Sequence, residues 1–185
     1  RRKRLILLAG KDKEIRLLPQ SHKHYTTVKD AIGGLPKVQA GQSNSVDPLH
    51  IASSLTRLNI QRIRCSKPGG TWRDWPEDLQ LRCHRSEKGK SYVSVYGRMR
   101  WDDVSPTITT QFFGYGTGRF GHPEQDRALT LREGAILQSF PADYQFIPPN
   151  EVVCIRKIAR YIGNAVPPRL GEIIGESIIS SLKDS

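Results

Sequence analysis

Arg160-Tyr161-Ile162-Gly163-Asn164-Ala165-Val166-Pro167-Pro168 is the stretch from which the rest of the chain can be read. A helix enters it: Val152, Ile155, Ile158 and Ile162 have helical spacing, with a start expected at Asn150 and Glu151 and a stop at Gly163 and Asn164. The prolines fix the exit and open a second helix, in which Leu170, Ile173, Ile174, Ser177, Ile178 and Leu182 share one face. That face requires an apolar surface to dock on. Between the helices, glycine permits close backbone approach and the asparagine amide offers donor and acceptor groups, which suits the wall of a ligand site. An ordinary Gly-Asn helix terminus is the competing reading.

Upstream, Thr130 and Glu133 have capping-box spacing and start a helix expected to reach about Ser139. Tyr92 to Phe113 is rich in Tyr, Val, Thr and Ile, and predicts two strands broken at Trp101-Asp102-Asp103. Gly116, Gly118 and Gly121 have the spacing of a dinucleotide-binding loop, but His122-Pro123 follows instead of a helix. With Arg119 inside it, this loop reads either as a segment approaching DNA phosphate or as a structural turn. Asp47-Pro48 is expected to start a helix carrying Ala52, Leu55 and Leu58, followed by a proline- and glycine-rich loop over Ser66 to Pro76. Thr27 caps a short helix through Ala31, ended by Gly33 and Gly34. Leu5 to Ala9 and Ile15 to Leu18 read as strands around a Lys11-Asp12-Lys13 turn, with Pro19 to His24 as a connection.

The formal net charge is +11 on 185 residues, spread along the chain, so the expected partner is a polyanion. No apolar run approaches the roughly 18 residues of a membrane span, and Arg1 to Arg4 lead into only a short apolar run with no cleavage site. No membrane partner is expected, and a cytoplasmic setting is. Cys65, Cys83 and Cys154 are an odd count without metal-ligand spacing, so neither a disulfide scaffold nor a metal site is expected. Opening without methionine and directly into an apolar stretch, the chain reads as a fragment.

The Arg160 to Ile178 segment resembles the last shared motif of the cytosine-5 DNA methyltransferases. Tyr96-Gly97-Arg98, Trp101-Asp102 and Ser105-Pro106-Thr107-Ile108-Thr109-Thr110 resemble the ninth motif of that family. His122-Pro123-Glu124-Gln125, Thr130-Leu131-Arg132-Glu133 and Leu137-Gln138-Ser139-Phe140-Pro141 follow in the family's order, with Ile136 where relatives usually carry arginine. Arg2-Lys3-Arg4 before Leu5-Ile6-Leu7 is similar to the end of the eighth motif.

The resemblance implies an α+β chain. A small strand-rich target-recognition domain over 19–149 would be flanked by a strand over 1–18 and helices over 150–185, which complete a Rossmann-like methyltransferase domain. It implies double-stranded DNA as substrate and S-adenosylmethionine as methyl donor, the latter bound only with a missing N-terminal part. Arg2 and Arg4 would support catalysis at the target cytosine or a neighbouring phosphate. Asn164, Ala165 and Val166 would bind the cofactor, and Arg98, Thr107 and Thr109 the DNA. Within the recognition region, Gly69 and Gly70 let backbone approach a groove and Arg73 is suited to pair with guanine, or the same loop is a surface turn anchored by a buried tryptophan.

The family attacks carbon 6 of a flipped-out cytosine with a thiolate that follows a proline. Arginine precedes Cys65 and Cys83, and valine precedes Cys154, so none fits. The expectation is an enzyme part that is inactive alone and needs the missing N-terminal catalytic portion or a separate catalytic subunit. A stand-alone sequence-specific DNA-binding or regulatory module is the alternative.

Overall fold

The computed structural model describes residues 5–11, 14–20, 24–148 and 151–183. Among them seven α-helices follow in order: α1 (Val28–Ile32), α2 (Arg57–Cys65), α3 (Arg82–Arg85), α4 (Glu87–Lys90), α5 (Leu131–Leu137), α6 (Ile155–Asn164) and α7 (Pro168–Lys183). Thr27 and Thr130 form capping boxes with Asp30 and Glu133, so α1 and α5 begin where the sequence places them. The second helix does not. Asp47 accepts from the Leu49 amide and pairs with Arg132, while Thr56 caps α2 through the Asn59 amide. Likewise α6 starts at Ile155, leaving Val152 92% exposed, and the expected start at Asn150 lies outside the described residues.

The strand-rich, Rossmann-like α+β expectation is overturned: the described residues are helical or irregular, with only isolated bridges and no extended ladder. Leu5 to Ala9 and Ile15 to Leu18 have no neighbouring strand. Instead, the Arg16 and Leu18 amides donate to the Ser181 and Ser177 hydroxyls of α7. The expected Lys11-Asp12-Lys13 turn lies largely outside the described residues. Between Tyr92 and Phe113, Met99, Ile108 and Phe112 are buried among helices and irregular segments rather than across a sheet, while Tyr92 and Val104 are exposed, because strand propensity measures fit to a half-buried surface and is overridden by context. Met99, Ile108 and Phe112 join Val28 and Ile32 of α1, Leu131 and Ala135 of α5, and Ile158 and Ile162 of α6 in the main core. A Cβ on Gly134 of α5 would lie 2.1 Å from the Phe112 ring, so this helix and the ninth-motif segment meet at a glycine.

A second apolar cluster holds Ile63 of α2, Trp72, Trp75, Leu79, Tyr115 and Ala128. Burial pushes the Tyr115 phenol up to about 12, and its oxygen lies 2.7 Å from Ser66 Oγ.

Arg127, fully buried, ties the backbone at Val38 and Ala128 to Glu133 of α5. Its Nη1 and Nη2 each donate to a Glu133 oxygen at 2.7 Å, and its Nε donates to the Val38 carbonyl and Gln125 Oε1. Burial alone would raise the Glu133 carboxyl, but the Arg127 hydrogen bonds and charge outweigh it and hold the group below the usual range. His122, packed beside this pair, is pushed down by burial to about 4, against the opposing pull of Glu133.

Replacing Glu133 with Gln strands a buried guanidinium, and urea unfolding should record a loss of about 3 kcal/mol or more; a loss under about 1 kcal/mol would refute a stabilising role for the pair. His122 is neutral when folded but titrates near 6.5 when unfolded, so stability should decline as pH falls from about 6.5 to about 4. An His122→Gln variant should show a flatter stability profile across that window.

Candidate nucleic-acid interface and cofactor cleft

Residues 104–108 and 163–167 line one cavity of about 850 Å³, within the size range of small-molecule sites. Gly163 makes their approach possible. It is a residue of α6, not a left-handed terminus, and a Cβ there would lie 2.4 Å from the Thr109 carbonyl carbon and 2.5 Å from the Thr110 nitrogen. Gly163 and Asn164 do end the helix, as expected, and the close backbone contact adds a second requirement for glycine at 163. The turn after it is pinned by Gln138, whose side-chain amide donates to the Ala165 carbonyl at 3.0 Å. Asn164 and Val166 are exposed on this wall and Ala165 is half-buried, so the three cofactor-binding candidates stand together. Thr107 is exposed in the same cleft, and Thr109, also exposed, presents its backbone to Gly163. Arg2 and Arg4 lie outside the described residues.

The remaining candidates gather elsewhere, where three extended segments run side by side. Pro68 bridges to Arg98 and Arg98 to Gly121, with the Gly69 amide donating to the Arg98 carbonyl and the Arg98 amide to that of Gly70. Gly69 has a φ of +79°, which glycine adopts without strain. Trp72 and Trp75 in this loop are buried, as the tryptophan-anchored surface-turn reading expects, while Gly69 is exposed. Trp72 stacks on His84 at 4.3 Å between ring centroids, and its indole donates to the Tyr92 carbonyl. Arg73 is exposed over the Trp72 ring, with Nη2 donating to the Lys90 carbonyl at 2.7 Å. Arg119 is exposed, and its stem crosses Gly97.

Arg98, expected at the DNA, is buried instead. Its guanidinium donates to the carbonyls of His122, Gln125 and Ile63 and to Asp126 Oδ1 at 2.7 Å, locking the three segments from within. A nearby arginine not singled out from the sequence is on the surface: Arg100, whose stem lies across Gly69. Nothing local separates Arg98 from Arg100; only the interior carbonyls that accept from Arg98 do. No group of His, Cys, Asp and Glu suited to a metal occurs among the described residues, and no helix there is long and apolar enough to cross a membrane.

The chain thus carries a cleft of small-molecule size and, apart from it, a set of extended segments bordered by exposed arginines. Comparison with known proteins gives the family. The model of the C-5 cytosine-specific DNA methylases matches residues 1–180. The Type II methylase M.HgiDII of Herpetosiphon aurantiacus is 53% identical over 179 residues, covering 96% of this chain and 50% of that protein. The Type II methyltransferase M1.HphI of Haemophilus parahaemolyticus is 37% identical, covering 96% of this chain and 43% of that protein. DNA (cytosine-5)-methyltransferase 3 of Arabidopsis thaliana is 32% identical, covering 84% of this chain and 12% of that protein. The chain belongs to the C-5 cytosine-specific DNA methylase family, and it spans half or less of these relatives' length.

Two glycine substitutions test why the cleft closes. Gly163→Ala should destabilise the fold by roughly 1 to 3 kcal/mol, since the opposing backbone cannot yield. Gly171→Ala on α7, where a Cβ meets nothing within 4 Å, should be neutral or stabilising by up to about 1 kcal/mol. Equal effects in thermal unfolding would remove the close-approach explanation.

Proposed function

We propose that this chain is the DNA-recognition part of a cytosine-5 methyltransferase that transfers methyl from S-adenosylmethionine to carbon 5 of cytosine in duplex DNA, and that it is inactive by itself. The observation that carries this reading is the convergence of 104–108 and 163–167 on one cleft. Its lining fits the cofactor: the Asn164 amide and the Ser105 and Thr107 hydroxyls stand among Pro106, Leu137 and Val166, matching a ligand with polar edges and an apolar ring. Asn164, Ala165 and Val166 form the binding wall. S-adenosylmethionine, when bound, supplies an electrophilic methyl group.

On the DNA side, Gly69 and Gly70 allow backbone to approach the groove, Arg73 reads a base edge and Arg119 holds a phosphate. Thr107 and Thr109 contact DNA at the cleft mouth, and Arg2 and Arg4 hold the target cytosine or the phosphate beside it. The nucleophile comes from elsewhere, since none of the three cysteines follows a proline or lines the cavity. It is supplied by the remaining portion of the methylase, in the same polypeptide or as a separate subunit, to which α7 docks through its exposed Ile179 and Leu182. The Type II methylase relatives support a role in DNA modification paired with restriction.

Labelled methyl transfer to duplex DNA should occur only when this chain is combined with a fragment carrying the remaining motifs. Tight duplex binding without activity in the mixture would favour a stand-alone DNA-binding module. In the combined enzyme, Asn164→Ala should weaken cofactor binding about tenfold, as expected for a lost hydrogen bond, with duplex affinity unchanged. Equal loss of both would indicate a folding defect.

A further inference from the structure

We propose that Arg100 is a DNA-backbone anchor that fixes the position of the 67–74 loop. This deepens the duplex-binding reading above and rests on it. Three observations carry the assignment. First, Arg100 is exposed, and among the described residues no carboxylate pairs with it. Asp126 pairs with Arg64 and Arg98, Glu124 accepts from the Trp101 indole and Asp74 accepts from the Thr71 amide, while the exposed Asp102 and Asp103 that follow Arg100 in the chain are not among its ion-pair partners. Second, its aliphatic stem lies where a side chain of residue 69 would project, with Cδ 2.6 Å and Cγ 2.9 Å from an ideal Cβ. The stem therefore rests on the loop backbone itself, so an anion held by the guanidinium fixes the loop's register. Third, Arg98, two residues earlier, is consumed by interior carbonyls and Asp126, which ties the segment carrying Arg100 to Pro68 on one side and Gly121 on the other.

A planar guanidinium with free donors on a positively charged chain suits a phosphate diester, which takes paired hydrogen bonds. Contacts of this kind position a protein without reading sequence. Arg100 is thus distinct in role from Arg73, assigned to a base edge.

The test is fluorescence anisotropy of the full chain with labelled mixed-sequence duplexes of about 20 base pairs, at salt from about 50 to about 200 mM. Arg100→Gln keeps much of the stem and removes the charge. It should weaken binding several-fold on every duplex and reduce the slope of log affinity against log salt by about 0.9, with Arg100→Lys restoring most of that slope. An unchanged slope, in a variant that melts like the parent, would overturn the proposal in favour of simple packing. Weakening confined to one sequence would overturn it in favour of base reading. Should the unsubstituted chain fail to bind any duplex, the underlying DNA-recognition reading fails and the anchor falls with it.

Discussion

A charged pair with essentially no access to water, Arg127 with Glu133, is the constraint on which the rest of the architecture depends. Burying two charges is costly unless every donor and acceptor finds a partner. Here Glu133 accepts from both Arg127 terminal nitrogens and from the Thr130 amide, while Arg127 also reaches the Val38 and Ala128 carbonyls. Thr130 Oγ1 in turn lies 3.0 Å from His50, whose other ring nitrogen lies 2.7 Å from the Pro36 carbonyl. One network thereby ties the long connection before α2 to the start of α5. Since α5 also packs on α1 and α6, its position sets where the wall of the 104–108 and 163–167 cleft can stand.

From that centre the two candidate sites diverge. Toward α6, a glycine brings the helix onto the 109–110 backbone, and the last residue of the helix, Asn164, lines the cleft. Toward α2, Arg98 uses its guanidinium to hold three extended segments that offer too few mutual hydrogen bonds to hold themselves. A side chain thus supplies the cross-linking that a sheet ladder would otherwise provide. Such a scaffold presents glycine backbone and exposed arginines without a regular sheet among the described residues.

Local signals in the sequence were enough where the chemistry is local. Thr27 with Asp30, and Thr130 with Glu133, mark helix starts because each satisfies its own orphan amides. The family's motif blocks were legible for the same reason, since the Gly163-Asn164 turn keeps its residues in one short string. Illegible features depend on distant partners. Asp47 looks like a helix start until Arg132, 85 positions away, claims its carboxylate. Tyr92 to Phe113 has strand composition, yet its buried residues pack among helices and irregular segments distant in sequence. Arg98 and Arg100 are equivalent by type and neighbourhood, and only the carbonyls of Ile63, His122 and Gln125 assign one to the interior and leave the other to the surface. Leu5 and Leu7, 95% and 85% exposed, have strand spacing but no strand beside them among the described residues.

The claim at the centre of this account is that DNA meets the glycine-edged face while the cleft serves another ligand. Amide hydrogen exchange with and without duplex DNA tests it most directly. The account predicts slowed exchange at 67–74, 97–100 and 118–121 on adding duplex, with amides along α7 unchanged. Protection confined to α7, with the three glycine-bearing segments unaffected, would contradict it.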